Sequence, residues 1–343
     1  MAQSLPASQI YLHDPSATQA KRAYIVYFIT GNPGLIEYYR TFLTQIYGLL
    51  TRSSFPSTSF HVFGRSLSAF EASTSTEGRQ GRDPPFSLQE QIVKSQVALE
   101  ELVRDVKEIN HVQDVRVILM GHSVGSYILL EVIRRVREKA EVEKEAMCIA
   151  GGVCLFPTVT HIAKSDSGKK ATPLLTLPHL PRIASALAHA LTFLLPLPLL
   201  TFLIQKFLSF PPDAANTTAS FVKSPHGVHQ ALHMARDEMR EITEDTWSTE
   251  IWGASNPSPS SPAVPLRFLF AEKDHWVADT TRDELIAARG RPEAHSGNDA
   301  WKPVMEIDTS KGWEHGFCIR QSVPVAERVG GWLREMIEGD GTR

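Results

Sequence analysis

Val115-Arg116-Val117-Ile118-Leu119-Met120-Gly121-His122-Ser123-Val124-Gly125-Ser126-Tyr127-Ile128-Leu129-Leu130 decides the fold. An apolar, β-branched run leads into Gly-x-Ser-x-Gly, and a helical pattern follows at once. Strand, sharp turn and helix are the context in which that pentapeptide forms a nucleophile elbow, with the serine hydroxyl held above the sheet. The two glycines have a steric reason. They come close together at such a turn, where a Cβ would strike the neighbouring strand or helix.

Upstream, Ala23-Tyr24-Ile25-Val26-Tyr27-Phe28-Ile29-Thr30 reads as a strand covered on both faces, ending at Gly31-Asn32-Pro33-Gly34. Tyr39, Phe42, Leu43 and Ile46 then recur at helical spacing, and Phe60-His61-Val62-Phe63 is a short strand. Residues 64–86 are rich in Ser, Thr, Gly and Pro and read as a surface loop. Ser87-Leu88-Gln89-Glu90 is a capping box, opening a helix with Leu88, Ile92, Leu99, Leu102, Val103, Val106 and Ile109 on its packing side.

Downstream of the elbow helix, 146–156 forms a further strand, and strands return at 264–271 and 304–308 before a last helix over 323–337. Strands alternating with helices predict a doubly wound, mainly parallel sheet of the α/β class. Residues 1–22 read as a polar leader, and 252–262 as a linker.

Composition narrows the function. The chain has 343 residues, a net charge of -3, 42% hydrophobic and 21% charged residues, as expected of a large folded domain. No basic stripe suggests nucleic acid as a partner. Cys148, Cys154 and Cys318 lack metal-ligand spacing and read as reduced packing residues, so neither a metal nor a cofactor is expected. The N-terminus lacks the basic and apolar regions of a secretory signal, and Asn216-Thr217-Thr218 is set aside as a glycosylation sequon.

One stretch departs from that average. From Ile183 to Gln205 there is no Asp, Glu, Lys or Arg, and Leu191, Phe193, Leu194, Leu199 and Phe202 surround Pro196 and Pro198. A straight membrane span needs about 20 uninterrupted apolar residues. Proline in a helix removes a hydrogen bond and clashes with the preceding turn, so two short arms meeting at a bend are expected. Such a hairpin suits one leaflet or a phospholipid monolayer, and Arg182, Lys206 and Lys223 beside it suit anionic head groups. A greasy cap over a pocket, with no lipid contact, is the other reading of the same residues.

A serine hydroxyl needs a base, and the base an orienting acid, in the chain order Ser, acid, His for this type of elbow. Asp274 follows the strand Leu266–Phe270, with Asp279 as rival acid, and His315 lies in a glycine-flanked loop before the final helix. His275 should point elsewhere if Asp274 points in, and His295 lies in a polar loop. The backbone amides of Val124 and Asn32 are placed to hold an oxyanion, one after the nucleophile and one after the first buried strand.

Gly31-Asn32-Pro33-Gly34 followed by Tyr38-Tyr39 and Phe42, Gly121–Tyr127, Asp274-His275-Trp276-Val277 and Glu314-His315-Gly316-Phe317 together resemble the lipid droplet-associated hydrolase family, of the α/β-hydrolase superfamily. The resemblance runs from about Ala23 to Ile337. It departs at Phe63–Ser68, where animal members carry a histidine-containing segment. It implies an α/β-hydrolase core over 23–157 and 251–343, interrupted by a helical apolar cap over 158–250. It also implies a serine esterase with Ser123 as nucleophile, Asp274 as acid and His315 as base. The implied substrate is a hydrophobic ester, a sterol ester or an acylglycerol. The implied location is the lipid droplet and the cytosolic face of the endoplasmic reticulum. A droplet scaffold with little activity and a soluble hydrolase of small esters remain alternatives, and no protein partner is indicated.

Overall fold

The structure, a computed structural model, describes residues 8–15, 20–53, 55–70, 83–143, 147–252, 264–292 and 302–341. Most of the loop read over 64–86, the linker after Trp252 and His295 lie outside the described residues. Among the described residues seven strands form one sheet: β1 (Gln9–His13), β2 (Arg22–Ile29), β3 (Thr58–Arg65), β4 (Asp114–His122), β5 (Cys148–Leu155), β6 (Leu266–Ala271) and β7 (Val304–Asp308). Their spatial order is β1-β3-β2-β4-β5-β6-β7. β1 is antiparallel to β3, and all other pairs are parallel.

β1 falls inside the stretch read as a polar leader. It sits at the sheet edge and buries only Ile10, so it lacks the apolar run that marks a central strand. β2 shows the opposite pattern. Its alternate residues Ala23, Ile25, Tyr27 and Ile29 enter one core, and Tyr24, Val26 and Phe28 enter the other.

The helices are α1 (Arg40–Thr51), α2 (Leu88–Asn110), α3 (Val124–Glu143), α4 (Asp166–Leu175), α5 (Leu180–Thr192), α6 (Leu197–Leu208), α7 (Pro212–Lys223), α8 (Gly227–Glu241), α9 (Asp279–Arg289), α10 (Phe317–Arg320) and α11 (Ser322–Gly341). Phe42 and Ile46 of α1 and Trp332 and Leu333 of α11 cover one face of the sheet. Ile92 and Leu99 of α2, Ile128 of α3 and Leu285 of α9 cover the other. Ser87 starts α2 with the reciprocal bonds of a capping box: its hydroxyl accepts from the Glu90 amide, and Glu90 accepts from the Ser87 amide. Ile109, expected on the packing side of α2, is 75% exposed, because its turn lies beyond Val106, the last buried position of the helix.

The chain turns from β4 into α3 at Ser123, whose φ of 53° is left-handed. A Cβ on Gly121 would lie 2.3 Å from the Gly125 carbonyl oxygen, and one on Gly125 would lie 2.3 Å from that of Ile29. Both obstacles are backbone and cannot rotate away. Gly125→Ala should therefore cost stability near the upper end of the usual overpacking range, about 3 kcal/mol, in urea unfolding. An unchanged midpoint would refute that account of the glycine.

Between β5 and β6 the chain leaves the sheet to build α4–α8. α8 is strapped to the core by Gln230, whose amide donates to the Phe86 carbonyl and accepts from the Phe86 amide, both at 2.7 Å. Farther out, α5 and α6 meet at a bend of 105°. Pro196 caps α6 and Pro198 lies in its first turn, where a missing amide hydrogen costs nothing, so the two prolines begin a helix instead of breaking one. Lys223 holds the bend: its ammonium donates to the carbonyls of Thr192 and Leu195 at 2.7 and 2.9 Å. Among the described residues no single helix is long and apolar enough to cross a membrane.

Candidate active site

Strand order reverses at β2, with β3 on one side and β4 on the other, which opens a crevice at the carboxyl ends of β2 and β4. The loop after β2 carries Gly31 and Asn32, and the turn after β4 carries Ser123. The two are in contact, since a Cβ on Gly31 would lie 3.2 Å from the Ser123 Cβ. Loops after β6 and β7 bring in Asp274 and His315.

Ser123 Oγ lies 3.0 Å from His315 Nε2, and His315 Nδ1 lies 2.7 Å from Asp274 Oδ2. The other Asp274 oxygen accepts from the Trp276 amide at 2.8 Å. An ionised carboxylate only accepts, so Nδ1 carries the proton and Nε2 is free to accept from the serine hydroxyl. Burial by itself would push Asp274 upward. The charge and hydrogen bond of His315, with the Trp276 amide, outweigh burial and hold the carboxyl below its ordinary value.

Asp279, the rival acid, is exposed at the start of α9 and pairs with Arg282 at 3.1 Å, away from this arrangement. His275 was expected to point elsewhere. Its ring instead stands edge-on to that of His315, with centroids 5.9 Å apart, although it is exposed to solvent. The Val124 amide heads α3 directly after Ser123.

The Asn32 side chain reaches the cap, donating to the Ala231 carbonyl at 3.0 Å and to Glu238 at 2.8 Å. Glu238 was not legible as a site neighbour, because it lies 206 residues from Asn32 on an amphipathic helix. Burial pushes its carboxyl up to about 8, against the lowering effect of the Asn32 hydrogen bond and with a small rise from Asp237. In the unfolded chain the same group ionises near 4.5. The folded state thus holds an extra proton between these values, and its contribution is full below about 4.5 and lost as pH rises through about 8. Glu238→Gln, always neutral, should flatten the thermal stability profile over that window and exceed wild type by up to about 5 kcal/mol on its alkaline side. Parallel profiles would disprove it.

The site is closed. Ser123 is 7% exposed and His315 8%. A cleft of about 530 Å³ opens beside α7 and α10, but its lining, which includes Tyr38, Asp213 and Arg320, contains none of the three residues. Among the described residues no group of three or more His, Cys, Asp or Glu could hold a metal ion.

A mainly parallel sheet, a left-handed serine after its fourth strand, and a histidine and an aspartate on later strand ends define an α/β-hydrolase. A peroxisomal α/β-hydrolase of Saccharomyces cerevisiae has the same fold, with a TM-score of 0.55 at 10% identity over 93% of this chain and 78% of that one. The chain belongs to the lipid-droplet associated hydrolase family, whose model matches residues 22–318. It is 27% identical to the lipid droplet-associated hydrolase of Gallus gallus, over 90% of this chain and 83% of that protein. It is 25% identical to that of Drosophila melanogaster, over 92% and 89%.

Proposed function

We propose that the protein is a serine esterase that cleaves a hydrophobic carboxylic ester, such as a sterol ester or acylglycerol, at the surface of a lipid droplet. Ser123 is the nucleophile, His315 the general base and Asp274 the residue that orients it. The observation that carries this reading is the continuous hydrogen-bonded series Ser123, His315, Asp274 beneath a cap with an exposed apolar face. The Ser123 hydroxyl attacks the ester carbonyl as its proton passes to His315 Nε2. The tetrahedral oxyanion is held by the backbone amides of Val124 and Asn32, the first at the positive end of α3. The protonated His315 then returns the proton to the departing alcohol. Water repeats the sequence on the acyl-enzyme and releases the acid.

Leu191, Phe193, Leu194, Leu199 and Phe202 are exposed on the two arms, as are Pro196 and Pro198 between them. Side chains that only roofed a pocket would face inward, so their exposure favours contact with lipid on the cytosolic side of the droplet or endoplasmic reticulum. No cofactor enters the mechanism. Fluorophosphonate labelling tests the nucleophile: wild type should react, Ser123→Ala should not, and equal labelling would eliminate the proposed triad.

A further inference from the structure

His122, directly before the candidate nucleophile, is a buried polar side chain that the triad does not use. It is 5% exposed, with Phe156 and Phe317 standing edge-on to its ring. Both ring nitrogens are engaged. Nε2 lies 2.8 Å from the carbonyl oxygen of His315, and Nδ1 lies 2.7 Å from the Tyr39 hydroxyl.

A carbonyl oxygen only accepts, so Nε2 carries the hydrogen. Nδ1 must then accept, and Tyr39 donates to it. The Tyr39 oxygen in turn accepts from the Gly31 amide at 3.1 Å. Each proton in this chain is placed by its neighbours, and the bonds all run one way, from the loop after β2 to the loop after β7. Burial first, and then repulsion from His315, hold the His122 pKa down at about 3, so the ring stays neutral.

We propose that His122 and Tyr39 are positioning residues, forming a one-directional hydrogen-bond relay that sets the oxyanion loop and the histidine loop against the nucleophile together. The proposal rests on the reading of Ser123 and His315 as nucleophile and base. The relay occupies the Gly31 amide, which leaves the next amide, Asn32, for the oxyanion. It also suits the charge that develops during turnover. The rings of His122 and His315 are 5.1 Å apart, and a second cation there would oppose protonation of the base. A neutral donor to the His315 carbonyl restrains the loop without that penalty.

The position needs one donor and one acceptor at imidazole-like separation. A glutamine amide supplies both; leucine supplies volume and no bonds. The test compares wild type with Tyr39→Phe, His122→Gln, His122→Leu and Ser123→Ala in the full chain, using p-nitrophenyl butyrate turnover, fluorophosphonate labelling and thermal melting. Tyr39→Phe should lower kcat by about 10–100-fold, as expected for a displaced catalytic loop, with KM changed by less than about twofold. His122→Leu should lose at least as much, and His122→Gln should recover most of it. The acid limb of the kcat/KM profile should keep its midpoint in every active variant, because the relay does not titrate.

Wild-type kcat in Tyr39→Phe would overturn the proposal, as would His122→Leu matching or exceeding His122→Gln, or a shifted acid limb in His122→Gln. If His122→Leu does not fold, Tyr39→Phe, which removes one oxygen atom, decides the matter. Labelling of Ser123→Ala at the wild-type rate would instead reject the triad reading. An inert Ser123→Ala beside a fully active Tyr39→Phe would reject the relay alone.

Discussion

Ser123→Ala is expected to lower kcat on a hydrophobic ester by about 10⁵–10⁶-fold, with KM and the unfolding midpoint close to wild type. The substitution removes one oxygen atom from a side chain whose backbone conformation is set by glycines on either side, so the elbow itself should persist. Nucleophile and base act as a unit, and adding His315→Ala to Ser123→Ala should therefore cost nothing further. Asp274→Asn should keep the geometry and still lose about 10⁴-fold, since an asparagine that donates to Nδ1 selects the wrong tautomer of His315. Steady-state hydrolysis by purified variants measures all three. A Ser123→Ala enzyme within tenfold of wild type would mean that the hydrogen-bonded series is not the catalytic one.

Replacing Leu191, Phe193, Leu194 and Phe202 together by serine should move the protein from the surface of artificial droplets into the aqueous phase. Each such side chain is worth about 1.5–3 kcal/mol when fully buried, so four inserted to half their area contribute roughly 3–6 kcal/mol. The partition coefficient should accordingly fall about 10²–10⁴-fold. All four are exposed and lie on the outer arms, so melting temperature and turnover of a water-soluble ester should change little. Flotation with triolein droplets coated by a phospholipid monolayer provides the measurement. Unchanged partitioning would assign the apolar arms some role other than lipid contact.

Local chemistry was the legible part of this chain. The run 304–308, read as a strand from its residues, is β7 with the same limits, and Ser87 and Glu90 bond as their spacing requires. Ser123, Asp274 and His315 were singled out by type, chain order and position after strands, and the structure brings them within hydrogen-bond reach because loops at strand ends converge in a doubly wound sheet. Contacts that depend on how the cap docks carry no such local signal. The Asn32 bond to Glu238 joins a turn to a helix whose pattern says only that one face is buried. His122 shows the same limit. Its place in the pentapeptide was plain, but its partners Tyr39 and His315 are specified only by the packing of three separate loops. The edge strand β1 was missed because pairing on a single side needs little apolar sequence.

The order in which the parts are joined matters before folding is complete. Ser123 and His315 are 192 positions apart, and the whole of α4–α8 is translated between them. At about 5–20 residues per second, roughly 5–20 s pass between synthesis of the apolar arms and synthesis of His315. Until Leu266–Ala271 is made β5 lacks its neighbour β6, and until His315 is made the nascent chain has no base. On the proposed function, attachment to the surface can therefore precede catalytic competence.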